Sequence, residues 1–286
     1  MTWWQAAILG LVEGITEFLP ISSTGHLILV SSLLGLDRPE TREATSAFEI
    51  VIQGGAILAV LGLYAPRVLS MLRGLLGRDR EGLRLLGLLV LGFLPAGLLG
   101  PLLDDWIDAH LFHPTPVLAA LVLGGVWMLW LQRRIPRLVI QGEHLEAISA
   151  RHALMIGALQ CVAMWPGTSR SMMTIAGGLV VGMRPRDAAE FSFLLGLPTL
   201  GGACVFKLLK NLKHAHDTAT PNLFEQLGPA AVAIGIVTAT VSAALAVSWL
   251  VGFLNRRGLA AFGWYRIALG AVLGALLALG VVTLGA

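Results

Sequence analysis

Charged residues are scarce in this sequence of 286 residues, because Asp, Glu, Lys and Arg together make up only 13% of it, whereas hydrophobic residues make up 56%. The mean hydropathy is correspondingly high, at +0.79. Soluble globular domains carry about 25% charged residues, since their surfaces face water. The scarcity of charge therefore excludes an ordinary soluble domain and predicts a protein whose outer surface faces lipid.

Cysteine is also scarce, and the net charge is small. Cys161 and Cys204 both fall inside apolar stretches, so no disulfide framework is expected. The formal net charge is +3, and the arginines lie beside apolar runs, as the positive-inside anchoring of a membrane protein requires. A nucleic-acid partner is therefore not expected.

Apolar runs of about 18 to 25 residues predict membrane-spanning helices, whereas shorter or interrupted runs cannot cross a bilayer alone. The shorter runs pair into two re-entrant helical hairpins with polar motifs at their tips. The sequence thus predicts an all-α polytopic membrane protein. The predicted spans are Ala47–Tyr64, Leu83–Leu103, Pro116–Leu131, Ala188–Leu209, Leu227–Leu254 and Phe262–Leu284. The shorter runs are Trp3–Phe18, His26–Leu36, Ala147–Trp165 and Ser171–Met183.

The two halves of the chain resemble each other. Glu13 and Glu17, followed by a proline and a Ser/Thr/Gly cluster, echo Gln160 and Met164, followed by Pro166 and Gly-Thr-Ser-Arg-Ser. Each half contains one hairpin and three spans, and this odd number places the two copies in opposite orientations, with their tips near the midplane. The predicted units are a single integral membrane domain, 1–286, and two inverted-topology repeats, 1–132 and 147–286.

Loop charges predict the orientation of the chain. Connections rich in arginine are assigned to the cytoplasm, and a connection with three aspartates is assigned to the outside. Lys207, Lys210 and Lys213 fall on the outer side and break this rule. The arginines are Arg67, Arg73, Arg78, Arg80 and Arg84 in the first connection, Arg133, Arg134, Arg137 and Arg151 in the second, and Arg256 and Arg257 in the third. The aspartates are Asp104, Asp105 and Asp108.

Two segments, 13–26 and 166–171, place ionisable and hydroxyl groups where a membrane helix is expected. An ionisable side chain at membrane depth costs at least about 2.5 to 3.5 kcal/mol, so several together normally face a polar cavity that serves a function. Glu13 and Glu17 are four residues apart and share one face of a helix. Such a pair holds a cation or serves as a general acid or base, or it faces a water-filled crevice without chemistry.

A cluster of hydroxyl and glycine residues lies immediately before an apolar helix. Free backbone N–H groups and the helix dipole favour an anion there, and the hydroxyls add donors or a nucleophile. A simple helix N-cap explains one of these residues but not the cluster. His26 follows, either as a structural hydrogen-bonding group or, beside carboxylates and serines, as a catalytic one, which we favour. The cluster consists of Ser22, Ser23, Thr24 and Gly25.

Arg170 lies at the tip of the second predicted hairpin, where its side chain has no short route to the membrane surface. A guanidinium flanked by Ser169 and Ser171 suits a phosphate oxyanion. Glu49 and Gln53, one helical turn apart, are weaker candidates to line the same cavity. An interhelical hydrogen bond accounts for Gln53 equally well.

These motifs resemble those of a known family. Glu13-x-x-x-Glu17 leading into Phe-Leu-Pro-Ile-Ser-Ser-Thr-Gly-His26, together with Pro166-Gly-Thr-Ser-Arg-Ser-Met-Met-Thr174, is similar to the undecaprenyl-diphosphate phosphatase family, also called bacitracin-resistance proteins. The resemblance covers essentially the whole chain. One departure is the Met-Met pair, where the family commonly has smaller residues, and it affects packing more than chemistry.

The resemblance implies an integral membrane phosphatase that converts undecaprenyl diphosphate to undecaprenyl phosphate and inorganic phosphate. This reaction recycles the lipid carrier for peptidoglycan synthesis and confers bacitracin resistance. The implied location is the bacterial plasma membrane, with the site toward the outer face. The implied cofactor is Mg²⁺ or another divalent cation such as Ca²⁺. The implied partners are a polyprenyl diphosphate lipid and the bilayer, and a homodimer is left open.

The motifs assign a role to each candidate residue, but they leave the attacking group open between Ser23 activated by His26 and water activated by His26 or Glu17. Metal-assisted phosphoryl transfer is the expected chemistry. The catalytic candidates are Glu17, Ser23, His26 and Arg170; the substrate-binding candidates are Ser22, Thr24, Gly25, Thr168, Ser169, Ser171 and Gln53; the metal candidates are Glu13 and Glu17.

A second function is open on the same architecture. Inverted repeats whose broken helices meet at the midplane are also typical of transporters, so the site could bind a phosphorylated lipid or anion that is moved and not cleaved. The Glu/Ser/His constellation favours hydrolysis, because transport does not require it.

Overall fold

The computed structural model describes residues 1–37, 39–134, 142–218 and 227–282, and these form eleven α-helices. The first six are α1 (Trp3–Glu17), α2 (Ser23–Leu33), α3 (Pro39–Leu63), α4 (Ala65–Leu75), α5 (Arg80–Leu111) and α6 (Pro114–Arg134). The others are α7 (Ala150–Val162), α8 (Arg170–Val180), α9 (Pro185–Thr218), α10 (Pro229–Arg257) and α11 (Ala260–Ala278).

Six helices within the described part of the chain are long and apolar enough to cross a membrane, namely α3, α5, α6, α9, α10 and α11. They confirm the six predicted spans, so the chain is a multi-pass membrane protein. Most of them extend past the apolar run, because the helix continues into polar residues beyond it. An exception is α11, which ends at Ala278, before the predicted limit at Leu284, a residue outside the described ranges.

The four shorter runs also fold as predicted, into the helix pairs α1–α2 and α7–α8. These helices have 15, 11, 13 and 11 residues, and each is too short to cross a bilayer of ordinary thickness alone. Thr2 caps α1 through a capping box with Gln5, and Ser149 caps α7 by accepting a hydrogen bond from the His152 N–H. The polar motifs lie at the turns between the paired helices, so the hairpins present them at their tips.

One helix, α4, was not predicted, because its arginines mark it as part of a cytoplasmic connection. It is amphipathic, with Leu69, Leu72 and Leu75 exposed on one side and Met71 and Gly74 buried against α5. Exposed leucines beside arginines are typical of a helix that lies in the membrane interface.

The hairpin of each half packs against a span of the other half. In the first half α1 packs against α10, and in the second half α7 packs against α5. Both contacts depend on glycine, because a Cβ on Gly10 would lie 2.6 Å from the carbonyl oxygen of Gly235, and a Cβ on Gly157 would lie 2.2 Å from that of Gly92. Each hairpin is therefore held by the second full span of the other half. This packing agrees with an internal repeat, whereas the opposite orientation of the two halves stays a prediction.

Lys210, which breaks the loop-charge rule, is paired with two of the aspartates that were used to assign the outer side. Its Nζ lies 2.8 Å from Asp104 Oδ2 and 2.8 Å from Asp105 Oδ1. The C-terminal parts of α5 and α9 therefore lie on one side of the protein, and at least this lysine does not add an unbalanced charge there.

Candidate active site

The helices α2 and α8 begin with the same unusual turn. Ser22 and Ser169 are N-cap residues with φ values of 73° and 77°, and they are the two non-glycine residues with positive φ in the described ranges. The Ser22 Oγ accepts from the Gly25 N–H at 3.4 Å, and the Ser169 Oγ accepts from the Met172 N–H at 3.3 Å. Such backbone costs about 1 to 3 kcal/mol and clusters at functional sites. Both motifs therefore fold into strained helix starts.

The two hairpin tips touch each other. The Ser171 Oγ donates to the carbonyl oxygen of Leu19 at 2.8 Å, and it lies 3.0 Å from the Ser169 Oγ. The Arg170 guanidinium carbon lies 5.3 Å from the centre of the Phe18 ring, a cation–π distance. Residues from both predicted repeats thus form one composite site.

Glu17 joins the nucleophile candidate to the anion-binding candidate. Its Oε2 accepts from the Ser23 Oγ at 2.7 Å, and its Oε1 accepts from Arg170 Nη2 at 3.2 Å. Arg170 Nη1 also donates to the Ser192 carbonyl oxygen at 3.0 Å. Only two of the five N–H groups of Arg170 are bonded within the described ranges, and its buried Nε has no partner there, so donors remain for a ligand oxygen. A hydroxyl, a carboxylate and a guanidinium are thereby connected inside the membrane protein.

His26 is bonded away from Ser23. Its Nδ1 lies 2.7 Å from the Ser22 carbonyl oxygen, and its Nε2 lies 2.7 Å from the Tyr265 hydroxyl. In this structure the hydroxyl of Ser23 is therefore directed to Glu17, which is the carboxylate placed to accept its proton.

Glu13 lies one turn before Glu17 on α1, and its side chain is almost completely buried, with 1% exposure. Its Oε2 has no hydrogen-bond partner among the residues that the structure describes. It interacts electrostatically with Glu17 and Glu49 and with Arg170. A buried carboxylate oxygen without a donor is what a hard divalent cation satisfies, so Glu13 fits the predicted metal site, whereas both oxygens of Glu17 are bonded, to Ser23 and to Arg170.

The remaining substrate-binding candidates have different surroundings. Thr168 is buried next to the Ser169 cap, Gly25 is buried in the first turn of α2, and Thr24 is partly exposed beside it. Gln53 Oε1 accepts from the Cys204 Sγ at 3.2 Å. This contact joins α3 to α9 and is the interhelical hydrogen bond that we considered as the alternative to cavity lining. A role for these residues in substrate binding stays a prediction. Both cysteines of the chain are free thiols, as expected.

Two residues of the site region were not predicted, Tyr265 and Arg266 on α11. Arg266 is completely buried, and its Nη2 donates to the carbonyl oxygens of Ala120 at 2.9 Å and Gly167 at 2.8 Å. The signal for Arg266 was available, because an arginine inside an apolar span is costly for the same reason as Arg170. Tyr265 gives no such signal, since a tyrosine near a membrane surface is ordinary.

A separate cavity of 470 Å³ lies on the arginine-rich side, and its lining residues belong to neither motif. It contains His144, Glu146 and Asp187, whose ligand atoms lie within 4.8 Å of one another. Arg67 Nη2 donates to Glu146 Oε1 at 2.8 Å and lowers the pKa of this carboxyl. Because an arginine already neutralises Glu146, these three residues are explained without a metal.

Comparisons with known proteins identify the family of the chain. The model of the family described as bacitracin resistance protein BacA matches residues 6–272. A protein of Sorangium cellulosum named undecaprenyl-diphosphatase is 45% identical over 273 residues, which cover 95% of this chain and 85% of that protein. A protein of Deinococcus radiodurans with the same name is 44% identical over 286 residues, which cover 100% of this chain and 99% of that protein. One of Pseudomonas aeruginosa, also so named, is 45% identical over 94% of this chain and 93% of its own length. The chain therefore belongs to the bacitracin resistance protein BacA family.

Proposed function

We propose that the protein is an undecaprenyl-diphosphatase, which hydrolyses undecaprenyl diphosphate to undecaprenyl phosphate and inorganic phosphate. The observation that carries this proposal is the chain of hydrogen bonds from Ser23 through Glu17 to Arg170. It supplies a nucleophile, a proton acceptor and a donor for phosphate oxygens within one buried site. The family and the names of the relatives support the same activity.

The attacking group in this proposal is the Ser23 hydroxyl. Its Oγ forms a bond to the terminal phosphorus, and the bond from that phosphorus to the bridging oxygen breaks. The Ser23 proton passes through Glu17 to the leaving oxygen of undecaprenyl phosphate. Water then attacks the phosphoserine, phosphate leaves, and a proton of that water restores the hydroxyl. Attack by water activated by Glu17 or His26 is the alternative for the first step.

Arg170 stabilises the charge that develops on the transferred phosphoryl group. In phosphoryl transfer most of the rate enhancement comes from positioning and charge stabilisation. The buried Nε of Arg170 lacks a partner within the described ranges, and the Nη2 can exchange Glu17 for a phosphate oxygen. A diphosphate would thus lie between Arg170 and the N-terminal turn of α2, whose N–H groups favour an anion.

Glu13 and Glu17 would hold a magnesium ion or another divalent cation such as calcium. When bound, such a cation neutralises charge on the diphosphate. The support for this assignment is the buried Oε2 of Glu13, which has no donor among the described residues. In this proposal Arg170 binds the anion, and Glu17 orients Ser23 and accepts its proton.

We further propose the bacterial inner membrane as the location and two inverted repeats as the architecture, with the site open toward the outer face. The charge pattern of the loops supports this orientation. The lipid tail of the substrate would lie between spans, and the exposed apolar residues of α5 and α10 offer such surfaces. A homodimer is left open, and a nucleic-acid partner is not expected.

A transporter of a phosphorylated lipid or anion is not favoured. Transport requires an anion site, but it does not require a hydroxyl held by a carboxylate next to that site. The 2.7 Å contact between Ser23 and Glu17 is therefore better explained by hydrolysis.

The test is release of phosphate from undecaprenyl diphosphate by purified protein in detergent, with and without a chelator. We expect release that stops when the chelator removes divalent cations and resumes when Mg²⁺ is restored. Protein carrying Glu17→Gln is the control for contaminating phosphatases. Binding of the lipid without any release of phosphate would contradict the proposed function.

A further inference from the structure

Tyr265 on α11 contacts a residue of the first motif. Its hydroxyl oxygen lies 2.7 Å from His26 Nε2, and the two rings are nearly parallel, with 5.6 Å between their centres and 5° between their planes. We propose that Tyr265 is a positioning residue for the phosphatase reaction and that it acts through His26. This inference rests on the proposed function, because it concerns the same site.

The hydrogen bonds of His26 define which of its nitrogens carries the proton. The Ser22 carbonyl oxygen can only accept, so Nδ1, at 2.7 Å from it, is the donor. In the neutral ring Nε2 therefore carries the lone pair and accepts from the Tyr265 hydroxyl. The Tyr265 hydroxyl thus holds the basic nitrogen of His26 in one orientation.

The tyrosine hydroxyl suits both protonation states of His26. It donates to Nε2 when the imidazole is neutral, and it accepts from the Nε2–H when the imidazole is charged. His26 is 9% exposed and Tyr265 is 45% exposed, so this hydrogen bond lies at the edge of the buried site. Without the hydroxyl, the basic nitrogen would be left nearly buried without its partner or would turn away.

Arg266 fixes the position of Tyr265. It is the next residue on α11, and its guanidinium is bonded to the carbonyl oxygens of Gly167, in the second motif, and Ala120, on α6. The two successive residues therefore contact one motif each, since Tyr265 holds His26 and Arg266 holds Gly167. A tyrosine anchored in this way keeps His26 in register with the loop that carries Arg170.

The experiment compares two matched variants, because the chain contains 2 tyrosines. Tyr265→Phe removes one hydroxyl next to His26, and Tyr64→Phe removes the same atom from the end of α3. We expect Tyr265→Phe to lower kcat about tenfold with KM unchanged, since a hydrogen bond is lost to the imidazole that holds the Ser22 carbonyl next to Ser23, and no substrate contact is lost. Tyr64→Phe is expected to match the wild type.

A double-mutant cycle then tests whether Tyr265 acts through His26. In a His26→Asn background, Tyr265→Phe is expected to cause no further loss of kcat. A full additional loss in that background, a wild-type kcat for Tyr265→Phe, or a rise in its KM with kcat unchanged would each overturn the proposal.

A second measurement covers the case in which His26→Asn is inactive. The chain contains 7 histidines, and in protein labelled with ¹⁵N at histidine the His26 signals are identified by their loss in His26→Asn. Tyr265→Phe is expected to shift the Nε2 resonance of His26, whereas Tyr64→Phe is not. An unshifted resonance would refute the positioning role. This readout needs no turnover, so its result is distinguishable from a failure of wild-type protein to release phosphate.

Discussion

Glu17 and Arg170 form an ion pair of 3.2 Å in which the side chains are only 5% and 9% exposed. The two residues belong to different halves of the chain, and each is the main charged partner of the other. Removal of one member of a buried pair leaves an uncompensated charge. Both residues are therefore expected to respond strongly to substitution, although for different chemical reasons.

Arg170→Lys should keep the positive charge and lose the planar fork that makes two parallel bonds to phosphate oxygens. We expect a rate loss of about a hundredfold or more, as removal of one preorganised transition-state donor commonly causes. Initial rates of phosphate release measure the effect, and thermal unfolding in detergent checks the fold. Arg184→Lys, outside both motifs, is the control. Near-normal turnover of the Arg170 variant would identify this arginine as structural.

Ser23→Ala separates the two candidate nucleophiles. If Ser23 attacks the phosphorus, almost no activity above background is expected. If its hydroxyl only binds phosphate, the loss should be about 1 to 3 kcal/mol, or roughly ten- to a hundredfold. Ser248→Ala, whose exposed hydroxyl bonds only within α10, is the control. A folded Ser23→Ala protein that keeps more than about a hundredth of wild-type activity excludes the covalent mechanism.

Glu13→Gln should lower the affinity for divalent cation more than the affinity for lipid. The amide keeps the size of the side chain but removes the charge of the buried carboxylate that lacks a donor. We expect the Mg²⁺ concentration for half-maximal activity to rise at least about tenfold, as loss of a ligand or its support commonly causes. Titration with Mg²⁺ measures this shift, and Glu81→Gln, at the exposed start of α5, is the control. An unchanged midpoint would remove Glu13 from the metal site.

Gly157→Ala should destabilise the protein, because the added Cβ would lie 2.2 Å from the carbonyl oxygen of Gly92 and the helices α5 and α7 would have to separate. Overpacking of this kind typically costs about 1 to 3 kcal/mol. Thermal unfolding in detergent measures the loss. Gly87→Ala, on the same helix as Gly92, has open space around its Cβ and serves as the control. Equal stability of the two variants would mean that the close approach is not required.

Single cysteines test the orientation of the chain, in a background without Cys161 and Cys204. A cysteine at Asp105, whose side chain is 93% exposed, is expected to react with an impermeant thiol reagent added from outside. A cysteine at Arg78, exposed in the arginine-rich connection, should react only after permeabilisation. Identical labelling of the two positions would contradict the opposite placement of these loops.

The sequence predicted the spans, the hairpins and the charged residues of the two motifs, because hydrocarbon makes both apolar length and buried charge conspicuous, but it did not lead to Arg266, which carries the same signal. Glu17 and Arg170 were found by this cost alone. The sequence could not reveal that Ser23 donates to Glu17 and that His26 pairs with Tyr265, since these hydrogen bonds depend on how distant helices pack. The helix α4 could not be predicted in this way, because Arg67 and Arg73 are typical of a cytoplasmic connection.

The contact between His26 and Tyr265 has a consequence for biosynthesis. The ribosome delivers α1 and α2 to the membrane first, and α11 follows every other described helix. At about 5 to 20 residues per second, the polar tip of the first hairpin waits on the order of tens of seconds for its last partner. Glu13 and Glu17 lack Arg170 until α8 is made, and His26 lacks Tyr265 until α11 is made. The nascent hairpin must therefore stay in contact with water or with the insertion machinery until the final span arrives.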